Sequence, residues 1–415
     1  MAIGLPVETL IAIFKEVDDV QDLCHLRMAS RALCAITTPL AFSSLSVITT
    51  SSSAQNIGRL FDLPDIAAHV KEVSYHDKGA NIECDASFPS ISLRQYHDLS
   101  MPLHMRWRAI SVRTDGIEEL ASLFSRIYQL FRLETINLRF NPVDGNESDS
   151  DSDGRLSLQS SILSALVASF NVRAPSKLTS LSLHILRASD PHPLETLSMQ
   201  TILTTLQRLR LSAVFASYPD PSTVFNRWHG FWGTLWLQII PVRSQLILTE
   251  LTLHSDVPVG TDSGLSLSEL HLPCLSMLSL RNTVFRTTSP SAEDFILRHA
   301  ATLTQLELLR CKVLVSDVRL LLSSESTNLA TDVELRRRPY WDRIWDRFAA
   351  ELTGIVMLHV DERHRDRKYR YVQRNFAGSY FVCGGGESRN VADLAALQRF
   401  RMAVATRSKE THIES

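Results

Sequence analysis

The chain has 415 residues, 44% of them hydrophobic and 21% charged, with a formal net charge of −2. Those proportions are globular, the length exceeds one ordinary domain, and near-neutrality excludes a global bias toward nucleic acid or acidic membranes. The start lacks a basic n-region and no run of about 18 apolar residues occurs, while the six cysteines (24, 34, 84, 274, 311, 383) form no C-x-x-C pair, so neither secretion, a membrane span, a zinc site nor a disulfide framework is expected.

The first element spans Leu5 to Val47. Pro6 suits a first helical turn, where its missing N–H costs nothing, and Glu8 favours the helix N-terminus. Leu10, Ile13, Phe14 and Val17 recur at i, i+3, i+4 and i+7, which places four large apolar side chains on one face. Asp19 is the expected cap of a second helix, with Asp22 three residues on and Leu23, Leu26, Ser30 and Leu33 at helical spacing. Thr38-Pro39 is expected to stop it, and Leu40, Phe42 and Leu45 to supply a third apolar piece. A bundle of about 45 residues is near the lower limit of independent stability and is expected to lean on a partner.

These residues carry a resemblance. Leu5-Pro6-x-Glu8-x-Leu10-x-x-Ile13-Phe14, then Asp22-Leu23-Cys24-x-Leu26-Arg27-x-Ala29-Ser30-Arg31-x-Leu33, resembles an F-box, and Pro39-Leu40-Ala41-Phe42-Ser43-Ser44-Leu45 resembles the ending common in fungal F-box proteins. The tryptophan often found near the end of that motif is absent, with Phe42 nearby. The resemblance implies docking on a Skp-type adaptor, and through it a cullin-based (SCF-type) ubiquitin ligase, by Leu5, Pro6, Leu10, Ile13, Phe14, Leu23, Leu26, Ser30 and Arg31. The alternative is a plain helical cap on the following domain.

The rest repeats an apolar triplet spaced three and then two apart: Leu133/Ile136/Leu138, Leu178/Leu181/Leu183, Leu206/Leu209/Leu211, Leu248/Leu251/Leu253, Leu275/Leu278/Leu280 and Leu303/Leu306/Leu308. Fainter copies are Val70/Val73/Tyr75, Trp107/Ile110/Val112 and Leu352/Ile355/Met357. The last two apolar residues of each alternate with a polar one, as a one-sided strand requires, so Thr252 and Ser279 are expected to point outward. Starts at 107 and 133, 178 and 206, 248 and 275, and 275 and 303 are 26, 28, 27 and 28 residues apart, and gaps of 45 and 42 need insertions. Asn141 and Cys311 fall at the closing polar position of two copies. The pattern resembles an irregular leucine-rich repeat, implying an α/β solenoid with parallel strands on its concave side and helices on its convex side; Ile117-x-x-Leu120-x-x-x-Phe124-x-x-Ile127-Tyr128 and Ala292-x-x-Phe295-Ile296-x-x-His299 are two such helices. An ordinary α/β domain with Leu-rich strands is the other reading.

The wholly polar stretch 144–154 is expected to be a disordered acidic insertion, either a plain solvated loop or one whose Ser148, Ser150 and Ser152 are sites for an acid-directed kinase. Trp228, Trp232 and Trp236, with Phe231 and Leu235, share a helical face that either packs on neighbouring repeats or is exposed for recognition. Arg336-Arg337-Arg338 and 363–371 are basic, but Asp361, Glu362 and Asp366 dilute the second, and Tyr369 and Tyr371 alternate as in a strand, so a charged edge or loop is expected. Cys383-Gly384-Gly385-Gly386-Glu387 lacks the ending of a phosphate loop, Gly260-Thr261-Asp262-Ser263-Gly264 is not a nucleophile elbow, and no catalytic constellation or cofactor motif is found. Val391, Leu394, Leu397 and Phe400 form a closing helix.

The expected organisation is therefore an F-box head at 1–48, a leucine-rich-repeat-like solenoid at 49–340 and a capping segment at 341–415. The expected function is a non-catalytic substrate receptor, cytoplasmic or nuclear, that binds the adaptor by its head and an unknown target protein by its repeats. His184, His254, Arg281 and Arg310, which follow strand triplets, face either the target groove or a plain solvated edge. An interaction scaffold without ubiquitin transfer is the alternative.

Overall fold

A computed structural model describes residues 5–17, 19–77, 116–140, 152–187, 192–214, 231–232, 247–260, 267, 270–286, 291–317, 340–361, 371–374, 380–383 and 387–414. It is an α/β protein with a mostly parallel sheet of many strands. Three short helices come first: α1 (Val7–Lys15), α2 (Val20–Ala29) and α3 (Arg31–Ala41). Asp19 caps α2 as expected, its carboxylate accepting from the Gln21 N–H at 2.7 Å. Ser30, however, is a break and not a mid-helix residue: it is extended (φ −160°, ψ 159°), and its hydroxyl accepts from the Leu33 N–H at 3.1 Å to start α3. Pro39 lies inside α3, where it was expected to end a helix. Phe14, Leu23 and Ala41 form a small core with Leu10, Val17, Leu26, Leu33, Ile36 and Leu40 around it.

Leu45 is not part of a third helix. It sits in strand β1 (Ser44–Ile48), which falls within the stretch assigned to the head yet opens the large sheet. Phe42, Leu45 and Val47 are a further copy of the triplet, hidden in the sequence by the helical head that they follow. From β1 the order is β2 (Glu72–His76), β3 (Thr135–Arg139), β4 (Ser180–Arg187), β5 (Arg208–Val214), β6 (Glu250–Val259), β7 (Met277–Phe285), β8 (Gln305–Leu309) and, beyond β9 (Lys312–Asp317), β10 (Met357–Val360). Every pairing along β1 to β8 and on to β10 is parallel, and the triplets align. Leu45, Val73, Ile136, Leu181, Leu209, Leu251, Leu278 and Leu306 form one buried row; Val47, Tyr75, Leu138, Leu183, Leu211, Leu253, Leu280 and Leu308 form the next.

One backbone device sets this register. The carbonyls of Ser43, Lys71, Glu134, Thr179, Gln207, Thr249, Ser276 and Thr304 each accept two consecutive N–H groups from the entry of the neighbouring strand. Hydroxyls reinforce it: Thr249 donates to the Gln207 carbonyl at 3.0 Å, Ser276 to Thr249 at 3.1 Å and Thr304 to Ser276 at 3.1 Å. The chain signature is Leu-Thr/Ser-x-Leu-x-Leu, at 178, 248, 275 and 303. Just past the second strand leucine, Ile185, Asn282 and Arg310 occupy the same position with φ of 61°, 56° and 52°. This left-handed residue turns the chain off the first layer, and buried Asn282 holds the turn by donating to the Ser255 carbonyl at 2.7 Å. A second branch of the sheet then runs β7–β9–β11 (Tyr371–Arg374) in parallel and ends on antiparallel β12 (Tyr380–Cys383).

Two expected strand positions change. The triplet at the far end is Ile355/Leu358/Val360, because Leu358 pairs with Leu306 and Val360 with Leu308; Met357 is 58% exposed. The apolar residues at 352, 355 and 357 mimic the spacing three residues early. Trp107/Ile110/Val112 lies outside the described residues, and β2 pairs directly with β3.

Helices α4 (Ser51–Phe61), α5 (Pro64–Ala67), α6 (Ile117–Ser125), α7 (Ser152–Val172), α8 (Leu197–Leu203), α9 (Ala292–Arg298) and α10 (Trp341–Glu351) connect the strands, and α11 (Glu387–Glu414) closes the chain. They share one apolar core with the leucine rows. Gly116 precedes α6 at φ +110°, and a Cβ there would meet the Ser51 amide at 2.8 Å. Residues 152–154, expected as loop, form the first turn of α7, a helix anchored by Leu158, Ile162, Leu166 and Phe170; 144–151, with Ser148 and Ser150, lie outside the described residues. Trp232 and Phe231 are buried, while Trp228, Leu235 and Trp236 lie outside. Tyr371 is also buried and donates to the Asp393 carboxylate at 2.6 Å; the basic runs at 336–338 and 363–370, with Tyr369, lie outside. Among the described residues no helix is long and apolar enough to cross a membrane.

Because Ile355 is fully buried and Met357 exposed, Ile355→Ala should destabilise by about 2–5 kcal/mol and Met357→Ala by less than about 0.5 kcal/mol in denaturant titrations. The reverse ranking would show that the last strand is misregistered.

Candidate functional site

The head presents two kinds of residue among those singled out. Phe14 and Leu23 are buried in its core, Leu10 and Leu26 are half-buried against it, and Leu5, Pro6, Ile13, Ser30 and Arg31 are exposed. Ile13 therefore leaves the face it was expected to share with Leu10, Phe14 and Val17: it is 47% exposed. Val7, Val20 and Met28 are exposed too, at 52%, 53% and 77%. Five of the exposed large aliphatic side chains thus fall in this unit: Leu5, Val7, Ile13, Val20 and Met28.

The second site lies on the face of the sheet opposite the leucine rows. Strand residues alternate sides, so the register builds three polar rows there. The middle row is Ser74, Asn137, Ser182, Arg210, Thr252, Ser279 and Glu307. Thr252 and Ser279, expected to be solvent-facing, are only 8% and 1% exposed: small side chains between longer rows are covered without joining the apolar core. One flanking row contains Glu72, Arg208 and Glu250; on the other side His76, Arg139 and His184 align, and, beyond a register irregularity after Leu183, Ser212, His254 and Arg281 align. Across the strands this face therefore carries small Ser and Thr side chains, with Asn137, Arg210 and Glu307 among them, flanked on one side by a wall of His and Arg.

Of the four residues singled out for a target face, His254 and Arg281 are direct register partners, and His184 is near enough for its charge to act on His254. Arg310 stands one residue past the row, its Nε 3.9 Å from the Asp361 carboxylate. Burial and the nearby Arg281 lower the Arg310 pKa, with Asp361 opposing. Arg139 and His76 follow their own triplets as His184 and His254 do and join this flank, and Arg210, the polar residue between Leu209 and Leu211, stands in the middle row beside it. Arg210 lies 3.6 Å from Glu250.

His254 is the centre of the wall. Its Nε2 is 2.8 Å from the Ser279 hydroxyl, which in turn donates to the Glu307 carboxylate, and His359 Nε2 lies 3.9 Å from that carboxylate. With the serine proton committed to Glu307, the imidazole donates to the serine oxygen. Burial first, then the charges of Arg281, His184 and Arg210, pushes the His254 pKa down to about 3, so the ring is neutral at neutral pH. His299, under the helices, is held neutral by geometry as well: its Nδ1 donates to the Phe295 carbonyl at 2.7 Å and its Nε2 accepts from the Leu272 N–H at 2.9 Å.

Among the described residues no group of three or more His, Cys, Asp or Glu is arranged to hold a metal ion. The Ser152 backbone is in the first turn of α7. Cys311 is partly buried and its thiol is pushed up to about 12, mainly by burial. No family model matches the chain, and no curated protein matches its sequence.

The low folded-state pKa of His254 has a sign. The unfolded chain takes up a proton near the ordinary histidine value of about 6.5 and the folded chain does not until about 3, so stability falls as pH drops through that window. His76 and His299, also lowered, act in the same direction. Melting temperature should decline between neutral pH and pH of about 4, and His254→Gln should flatten that slope; parallel slopes for the two proteins would contradict the assignment.

Proposed function

We propose that this chain is an F-box substrate receptor: α1 to α3 dock on a Skp-type adaptor of a cullin-based ubiquitin ligase, and the body binds the protein to be ubiquitinated. The observation that carries the reading is the outward display of Leu5, Val7, Ile13, Val20 and Met28 on a helical unit with its own small core, in a stretch whose motif resembles an F-box. Exposed aliphatic residues at this density favour a desolvated protein partner. The adaptor contacts would come chiefly from Leu5, Pro6, Ile13, Ser30 and Arg31, with Phe14 and Leu23 shaping the helices from within.

The body is read as a leucine-rich-repeat-like solenoid, capped at one end by α10 and α11. Support comes from the chain-order parallel pairing, the shared carbonyl at each strand entry and the recurring left-handed residue after the strand. Repeats that contact only their neighbours offer an extended surface to a target. The receptor would do no bond chemistry; it would raise the effective concentration of a target lysine near a conjugating enzyme carried elsewhere in the assembly.

Co-expression with a Skp-type adaptor tests this. The full chain should co-purify with the adaptor, and Ile13→Asp combined with Leu5→Asp should reduce recovery by at least about tenfold with the melting temperature unchanged, because charge in an interface core is costly and both positions are solvent-facing. Equal recovery would reject the receptor and leave an interaction scaffold.

A further inference from the structure

Apolar and basic side chains gather on the edge of the sheet where its first strands begin. Leu63 follows α4, Phe131 follows the helical turn Ile127–Gln129, Val172 ends α7 and Leu197 starts α8, and they are 48%, 44%, 67% and 81% exposed. Three hydrogen bonds draw these segments together: Arg126 donates to the Asp62 carboxylate at 2.5 Å, the Tyr128 N–H to the Ser169 hydroxyl at 2.7 Å, and the Ser198 hydroxyl to the Asn171 side chain. Each apolar residue lies within three positions of one of those partners, so the four form a row across successive strand connections. Cations stand beside the row. Arg132 follows Phe131 and Arg173 follows Val172, while register adds Lys177 and Arg208: the Glu134 carbonyl accepts from the Thr179 and Ser180 N–H groups, and the Thr179 carbonyl from those of Gln207 and Arg208. All four are exposed, and none of their side chains has a hydrogen bond or ion pair among the described residues. The nearby carboxylates of Asp62 and Glu134 are committed to Arg126 and Lys71. Asp65, exposed close to Leu63 in the chain, makes that end of the row the least basic.

We propose that this edge docks on a membrane surface rich in anionic lipid, with Phe131, Val172 and Leu197 entering the headgroup layer and Arg132, Arg173, Lys177 and Arg208 meeting the lipid anions. Single exposed apolar residues are ordinary on a protein surface, but here they alternate with unpaired cations along one line. That combination is what an anionic interface selects, since binding there sums apolar burial and charge attraction. Each Lys or Arg brought to such a surface strengthens binding by about fivefold. The long stems of Arg and Lys let the neighbouring apolar groups sink while the charged heads stay among the headgroups. A nucleic acid would satisfy the cations but offers no apolar layer for Phe131, Val172 and Leu197. The net charge of −2 is an average from which this edge departs, and surface docking needs no spanning helix. The inference goes beyond the receptor reading: it concerns where the chain is held, and it involves neither the head nor the target.

The test is co-sedimentation of the full chain with vesicles of phosphatidylcholine alone or with about 30% phosphatidylserine, with polyglutamate and a single-stranded oligonucleotide as competing anions. The chain should bind the phosphatidylserine vesicles at least about tenfold more tightly than the neutral ones, and raising salt from about 0.1 M to about 0.5 M should weaken that binding. Arg132→Gln with Arg173→Gln and Lys177→Gln should weaken it by at least about tenfold. Phe131→Ser with Val172→Ser should weaken it by at least about fivefold with the melting temperature unchanged, because both side chains face solvent. Lys409→Gln, exposed on α11, should have no effect. Should a variant fail to fold, hydrogen exchange on the unaltered chain decides: phosphatidylserine vesicles should slow amides in 130–134 and 172–178. Equal binding to both vesicles, unchanged binding in either folded multiple variant, or no slowing at those amides would overturn the proposal. So would polyglutamate or the oligonucleotide binding more tightly than the phosphatidylserine vesicles. Adaptor capture measured on the same preparation is independent of these outcomes, so failure of the edge and failure of the receptor reading are separable.

Discussion

The structure depends on a shared backbone carbonyl. At each strand entry from β1 to β10 in the long parallel path, one C=O accepts two N–H groups of the neighbouring strand at 2.7 to 3.1 Å. That bond fixes where each strand begins, and strand register then decides which side chains share a face, since a slip of one residue would exchange every inward and outward position. The leucine rows are inward because of it. So are the outward Ser and Thr floor and the His/Arg wall placed where they are by it, though the segments joining these strands differ in length by tens of residues.

Much of this was legible in the chain because burial has a period. The strong triplets from 133 to 308 mark six strands, and the polar partner of the shared carbonyl is visible as the Thr or Ser that follows the first leucine at 178, 248, 275 and 303. Where triplets overlap, the period misleads: 352, 355 and 357 satisfy the spacing, yet the pairing partners of Leu306 and Leu308 are Leu358 and Val360. Apolar spacing alone also passed over Phe42/Leu45/Val47, which looked like the end of the helical head. Ser30 shows a different limit. Its spacing suits a helix interior, but a serine can cap the following turn, and here its hydroxyl does so.

The polar face was partly legible for the same reason. Residues just past the strand triplets are visible in the sequence, as His184, His254, Arg281 and Arg310 are, and Arg139 after Leu138 carries the same signal; Arg210, between Leu209 and Leu211, joins them only through pairing across strands separated by long insertions. Burial of the floor was unexpected, because alternation says which side a residue faces and not how deeply its neighbours cover it. Ser279 and Thr252 face away from the leucines and are still covered. In the head the two kinds of apolar residue separate only in three dimensions: Phe14 and Leu23 hold the helices together, and Ile13 and Leu5 face solvent. A small helical unit with its own core thus precedes a long sheet whose face chemistry is written by register.

Register is therefore the claim to test directly. Asn137 on β3 pairs with Ser182 on β4, on the same polar face and across a connection of 45 residues between the starts of the two triplets at 133 and 178. Adjacent strand positions lie within the span a disulfide accepts. Asn137→Cys with Ser182→Cys should form an intramolecular disulfide on mild oxidation, read by mass spectrometry of the intact digest, while Asn137→Cys with Leu183→Cys, whose side chains point to opposite faces, should not. Efficient bridging of the second pair and not the first would show that the rows are out of step and would remove the physical basis of the polar and apolar faces.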